Sequence, residues 1–259
     1  MRSITSLAAV AALASIASIA TPAAAAPFLV TYEAAGETTS SAGFDYLGIE
    51  TFDGKAGQTN FTSTFTHDGV TIFLDYNNVM IRNANKYGGA NGTDYAVAGL
   101  GLTTSYTIDI ITTGTDAKGV NYFGYWLSAL DSENYVSFWN GDEMLFEFNQ
   151  GNVEALLTGK PEYWGHPGPG EYEGDNDHEP YVFLNFFAPE GTVFDRVVFS
   201  QGPGNAGYES DNHTLGFYNR TSGTPVPPPV QEVPEPAALG LLGAGLIGIA
   251  ALRRRRTAA

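Results

Sequence analysis

The stretch FWNGDEMLFEF, Phe138 to Phe148, reads as two short aromatic-rich strands folded back on one another. Asn140-Gly141 tolerates the positive φ angles of a type I′ hairpin turn, and the flanking residues alternate in the period of two that a half-buried strand requires. The same signature recurs outward in both directions. Before it, strands are predicted at 28–33, 46–52, 60–66, 70–75, 79–82, 95–98, 106–112 and 121–127, with 135–139 as the first arm of the hairpin itself. The second arm is 144–148, and further strands are predicted at 181–187, 193–200 and 213–218. Many short strands separated by Gly, Asn and Asp turns define an all-β chain, an antiparallel β-sandwich of jelly-roll-like type. Only NVEALL, Asn152 to Leu157, has helical character, with Asn152 placed to cap it.

The two ends of the chain have a different composition. Arg2, an uncharged run over 4–20 and an A-x-A tail make residues 1–25 a secretory signal peptide, handled by the Sec translocon and signal peptidase. Cleavage after Ala25 keeps Pro27, which has no amide N–H, away from the scissile bond. At the other end, Ala237 to Leu252 are sixteen uncharged, mostly apolar residues. That is slightly short of the ~17–25 of a spanning helix, a deficit that snorkelling arginines offset, so 237–252 reads as a single transmembrane helix. Arg253, Arg254, Arg255 and Arg256 act as a basic stop-transfer cluster held in the cytoplasm. Between these ends lie an exported domain over 26–220 and a Pro-rich linker over 221–232, TSGTPVPPPVQE.

The chain carries 12 basic and 28 acidic residues. Setting aside Arg2, the four terminal arginines and Glu235 leaves 7 basic and 27 acidic residues in the exported part, a formal charge of −20. A phosphate backbone is repelled by such a surface, so nucleic acid is excluded as a partner. Cysteine is absent, which removes disulfides, thiol nucleophiles and thiolate metal sites together, and leaves burial to stabilise the domain.

Two segments carry residues with chemical potential. The loop over 158–180, TGKPEYWGHPGPGEYEGDNDHEP, is longer than connections inside a domain usually run, and mixes acids with aromatics. Trp164, Tyr172, Asp175 and Asp177 are its candidate ligand contacts, of the aromatic and carboxylate type that holds sugars. DNDHEP opens like a calcium loop, but Pro180 stands where its glycine belongs and Phe186 where its bidentate acid belongs, so it is no EF-hand. YESDNHT, Tyr208 to Thr214, supplies Glu209, Asp211 and Asn212 as candidate oxygen ligands for calcium, against the alternative that Asp211 and Asn212 bond backbone amides and shape a turn before the last strand. Calcium is thus the one cofactor the residues suggest. GPGNAG, Gly202 to Gly207, matches the dinucleotide spacing but lacks the following helix that would receive a pyrophosphate. The four histidines are too scattered for a metal motif. Paired carboxylates leave a secreted carbohydrate-active enzyme, a glycoside hydrolase or lyase, as the alternative to a non-enzymatic binding protein.

Val233-Pro234-Glu235-Pro236, the apolar run 237–252 and the four arginines stand in order at the end of the chain, and together they resemble the PEP-CTERM sorting signal of Gram-negative bacteria. The resemblance makes 233–256 a sorting signal, with processing by an exosortase at Pro-Glu-Pro and delivery to the cell surface or extracellular matrix. It associates the protein with exopolysaccharide and with biofilm or floc formation. GIETFD (48–53), YGGANGTDYAV (87–97), VNYFGYWLSALD (120–131) and GYESDNHT (207–214) are similar to one group of exosortase-dependent surface proteins, for which the resemblance implies no enzymatic activity.

Overall fold

The hydrophobic alternation becomes fourteen strands among the described residues. The computed structural model of the chain describes residues 27–100, 104–130, 133–168, 170–202 and 206–227. Residues 1–25, read from the sequence as a signal peptide, the apolar run 237–252 read as a transmembrane helix, the Pro-Glu-Pro motif and the arginine cluster lie outside them. Among the described residues no helix is long and apolar enough to cross a membrane.

In chain order the strands are β1 (Leu29–Tyr32), β2 (Gly43–Glu50), β3 (Asn60–His67), β4 (Val70–Asn77), β5 (Met80–Arg82), β6 (Tyr95–Gly99) and β7 (Ser105–Thr113). After them come β8 (Tyr122–Ser128), β9 (Asn134–Asn140), β10 (Glu143–Asn149), β11 (Val182–Phe187), β12 (Arg196–Gln201), β13 (Gly207–Arg220) and β14 (Thr224–Pro225). One sheet runs β14-β1-β11-β8-β13-β6-β5, with β2 also paired to β13, and the other runs β10-β9-β12-β7-β4-β3. Every pairing is antiparallel. The sandwich read from the strand pattern is therefore the architecture.

The two inner faces supply an aromatic core. Phe123, Tyr125, Phe138, Phe186 and Phe199 are fully buried, and Tyr125 stacks on Phe186 with ring centroids 5.8 Å apart. Burial of such side chains contributes ~1.5–3 kcal/mol each, which a domain without disulfides needs. β4 and β7 bury alternate residues, as strands with one wet face do. By contrast β8 and β11 are buried at every position. Loops cover the outer face of their sheet, where Ala90, Trp126, Ala129, Tyr181 and Phe183 form a second, smaller cluster.

Gly124 shows how tightly that covered sheet is built. A methyl group there would meet the Tyr122 hydroxyl and stand 2.8 Å from the Phe183 ring and 2.9 Å from the Leu184 carbonyl oxygen. Gly124→Ala is expected to cost about 1–3 kcal/mol through overpacking, read as a lower urea midpoint at unchanged slope.

Four local expectations are corrected. The hairpin pairs Glu143 with Asn140, so its loop is Gly141-Asp142 rather than Asn140-Gly141. Positive φ is confined to Gly141, at 56°, the mark of a type II′ turn and not of type I′. The helix α1 (Gly151–Leu157) starts directly after β10, so Asn152 lies inside it. It is Asn149 that accepts a hydrogen bond from the Gly151 amide, at 2.7 Å. The predicted turn before the last strand is instead part of β13, which pairs with β6 in its first half, with β2 in its second and with β8 across both. The register shift between Asp211 and Thr214, with Asn212 at φ 48°, is a bulge that absorbs the turn-forming residues. Finally, the chain stays in the fold past residue 220, because β14 pairs with β1 and the Val226 amide donates to the Val30 carbonyl at 2.9 Å.

Candidate functional site

The loop between β5 and β6, residues 83–94, arches over the outer face of the covered sheet. Its base is closed by Asn83, whose Nδ2 donates to Asp94 Oδ1 at 3.0 Å, and by Asp94 Oδ2, which accepts from the Ala56 amide at 3.1 Å. Gly88 and Gly89 let it fold so tightly: a Cβ on Gly88 would run into the Tyr95 ring, and Gly89 sits at φ 105°. Tyr181 fastens the other side by donating from its hydroxyl to the Lys86 carbonyl at 2.6 Å.

Asp211 holds the arch from below. Its Oδ2 accepts from the Ala90 amide and the Thr93 hydroxyl, both at 2.7 Å, and its Oδ1 accepts from the Asn212 amide at 2.6 Å. The side chain is fully buried, and burial pushes its carboxyl up to about 7 despite those donors. Asn212, on the bulge, donates from Nδ2 to the Thr38 carbonyl at 2.8 Å and so fastens a second loop. Glu209 is also buried. Of the three residues proposed for calcium, Asp211 accepts from the Ala90 and Asn212 amides and the Thr93 hydroxyl, and Asn212 donates to the Thr38 carbonyl, so both tie β13 to distant loops. Among the described residues no group of three His, Cys, Asp or Glu side chains is placed to hold a metal ion.

On the opposite face of β13, His213 lies in the sandwich core. Tyr76 Oη and Ser210 Oγ stand 3.1 and 3.0 Å from its two ring nitrogens, and its ring stacks on Phe199 at 5.1 Å. Burial lowers it to about 3, so it is neutral in any ordinary buffer.

The four family-like stretches therefore converge on one place. Ala90 of YGGANGTDYAV bonds Asp211, Asp211 pairs with Trp126 of VNYFGYWLSALD, and His213 pairs with Glu50 of GIETFD. Phe52 packs edge-on against the His213 ring at 4.8 Å.

Between the arch and the loop over 158–180 opens a cleft of about 390 Å³. Asn83, Asp94, His166, Glu171, Tyr172 and Glu173 line it. The long loop is not irregular throughout: a 3₁₀ turn spans Pro161–Tyr163, and Trp164 bridges to Pro180. His166 is buried, edge-on to Trp126 at 5.8 Å and to Tyr181 at 5.4 Å, and its Nδ1 accepts from the Gly168 amide at 3.2 Å. Burial lowers its proton affinity, while the Asp175 charge and the Gly89 backbone pull the other way. A second cleft of about 360 Å³ lies on the far side of the arch, where Arg82, Tyr87, Tyr95, Glu179 and Glu209 meet.

Of the four loop residues chosen from the sequence, only Tyr172 lines the first cleft. Trp164 is half-buried and donates from Nε1 to the Leu157 carbonyl at 3.0 Å, so it anchors the loop instead of offering its ring. Asp175 accepts from the His166 amide through its backbone carbonyl at 2.8 Å, and Asp177 is exposed beside His178. Nothing local in the sequence marks Asn83 or Asp94. The only available signal was the pair of glycines between them, which demands a loop tight enough to bring its two ends together.

These features define a class: a β-sandwich ectodomain whose covered sheet carries a loop-roofed, acid- and aromatic-lined cleft. Residues 232–256 match the family model of the PEP-CTERM protein-sorting motif, so the chain carries that motif in its C-terminal region. The motif marks an exported, exosortase-dependent protein that is anchored in the membrane and then delivered to the surface. No curated protein sequence matches the chain. Among solved structures, a cleaved adhesin domain of Lys-gingipain is similar at 14% identity over 66% of this chain and 99% of that one, with a TM-score of 0.35. A family 29 carbohydrate-binding module is similar at 13% identity over 73% of this chain and 90% of that one, with a TM-score of 0.23.

Proposed function

We propose that the protein is a non-enzymatic component of the cell surface or extracellular matrix, whose jelly-roll-like ectodomain holds exopolysaccharide in the cleft beneath the β5–β6 arch. The observation that carries this reading is the lining itself: one tyrosine ring beside three carboxylates and an asparagine amide, on walls tied to a rigid sheet through Asp211 and Tyr181. Sugars combine apolar C–H faces with hydroxyl edges, and such a mixture of ring and fixed polar groups is what binds them.

Binding is measured by affinity gel electrophoresis of the full chain in detergent against exopolysaccharide from a matrix-forming Gram-negative culture, with and without millimolar Ca²⁺. Tyr172→Ala is expected to weaken retardation about tenfold, as truncation of a central aromatic contact does, with the melting temperature unchanged. Unchanged retardation would sink the cleft as the binding site. Release of reducing sugar that is lost on changing Glu171 or Glu173 to glutamine would turn the reading toward a glycoside hydrolase. Dependence of binding on calcium would add that ion to the site.

A further inference from the structure

We propose that the solvent-facing side of the six-stranded sheet is a second platform, separate from the cleft, on which an uncharged polysaccharide lies across the strands. The inference stands even if the cleft reading fails. Its basis is a single transverse row of side chains set by the strand register. Asp75 pairs with Asp109, Asp109 with Arg196, Arg196 with Trp139, and Trp139 with Met144. Neighbouring strands lie ~4.7–4.9 Å apart, so the row runs roughly 19 Å across the face.

Each polar member of the row is held in place within the protein. Asp75 Oδ1 accepts from the Thr62 hydroxyl at 2.6 Å, and Asp109 Oδ2 accepts from Asn77 Nδ2 at 3.2 Å. Arg196 donates from Nε to Asp109 Oδ1 at 2.8 Å and from Nη1 to the Gly141 carbonyl at 3.2 Å. Trp139 donates from Nε1 to Ser137 Oγ at 2.9 Å. Ser137 lies two residues back on the same face of β9, so this bond lays the half-buried indole along the strand as a flat surface. Met144 beside it is 48% exposed, and Ile111, two residues beyond Asp109, is 49% exposed.

Flat ring, apolar flank and a fixed carboxylate–guanidinium pair are complementary to a pyranose, whose C–H face stacks on the indole while adjacent hydroxyls donate to Asp109 and accept from Arg196. Charge selects the kind of polymer. Arg196 is already neutralised by Asp109, the Asp142 and Asp195 charges also act on it, and Glu147 pairs with Ser137 beside Trp139, so a polyanion is repelled and a neutral chain is not. The face is also too polar for a lasting contact with another copy of this chain, because threonines and charges separate its few apolar side chains, whereas the core of a protein interface is depleted of charge.

The test uses the full chain in detergent, run through gels containing dextran, galactomannan, hydroxyethylcellulose or polygalacturonate. At least one neutral polymer is expected to retard the wild type, with little change on raising salt, and polygalacturonate is not. Trp139→Ala should weaken that retardation at least about tenfold, in the otherwise unaltered chain and equally in a chain that already carries Tyr172→Ala, and Trp139→Phe should restore part of it. The proposal is overturned if no neutral polymer retards the protein, if Trp139→Ala binds like wild type, or if Tyr172→Ala alone abolishes binding. It is equally overturned if sedimentation shows a concentration-dependent dimer that Trp139→Ala dissolves while glycan binding is absent.

Discussion

Asp211→Asn and His213→Gln are expected to tilt the pH–stability profile in opposite directions. Asp211 has its carboxyl raised from 3.8 to about 7 by burial, so below pH 4 its protonated form costs nothing extra, and stability is lost as pH rises through 7. The shift corresponds to about 4 kcal/mol. His213 is lowered from 6.5 to about 3, so the folded state refuses a proton that the unfolded chain accepts, and stability is lost as pH falls from 6.5 toward 3. That shift corresponds to about 5 kcal/mol. Between pH 4 and 6.5 the native state holds one proton more on Asp211 and one fewer on His213, so the two slopes cancel in the wild type.

Removing either group uncovers the other. Relative to wild type, Asp211→Asn should gain stability as pH rises from 4 to 7, and His213→Gln should gain it as pH falls from 6.5 to 3. Both variants start from a loss of about 1–3 kcal/mol, since one mispairs the Asn212 amide and the other loosens the Tyr76 and Ser210 contacts. His166 is also lowered by burial and adds a smaller slope of the His213 sign. Glu33 is raised by burial but brought below its ordinary value by donors from Ser41, Ser222 and Asn185, so its contribution is lost only as pH falls below 4.5. Neither is altered in the variants, so the differences isolate Asp211 and His213. Urea unfolding at pH 4, 5.5 and 7 measures them; parallel profiles for variant and wild type would refute the compensation.

Pro234→Ala with Pro236→Ala is expected to abolish release and leave the protein at full length in the inner membrane. Proline fixes φ and removes an amide donor, which gives Pro-Glu-Pro a backbone chemistry distinct from that of its neighbours in sequence. Alanine, the best helix former, removes that distinction. The change touches no described residue of the sandwich, so folding and export should be normal and only processing should fail. Cell fractionation with intact mass measurement reads the result: a shortened protein at the surface of cells expressing the variant would show that Pro-Glu-Pro is dispensable.

The strands were legible because each is a local statement. Tyr106, Ile108 and Ile110 alternate with Ser105, Thr107 and Asp109, and that period can only be satisfied by an extended segment with one dry face. Where both faces are covered, as in β8 and β11, the alternation vanishes, yet the run of aromatics and branched residues remained enough to mark a strand. The bulge in β13 was not legible. Asp211 and Asn212 are turn formers in any local reading, and only pairing with β2, β6 and β8 turns their geometry into a bulge. The cleft was half legible: Tyr172 was found from its loop, whereas Asn83 and Asp94 become its walls only because the arch closes on Asp211, far away in the chain.

The sequence by itself determined the sorting motif of this protein and its strand content, since the motif and the hydrophobic period are each written in contiguous residues. Only the tertiary structure decided what the acids and aromatics do. Asp211, read from its neighbours, is a candidate calcium ligand, but 121 residues separate it from the Ala90 amide it accepts from. Trp139, read from its neighbours, is one more strand aromatic, but register places it beside Arg196 on an open face. A carboxylate's role depends on which donors surround it and how much water reaches it, and both are set by residues distant in the chain.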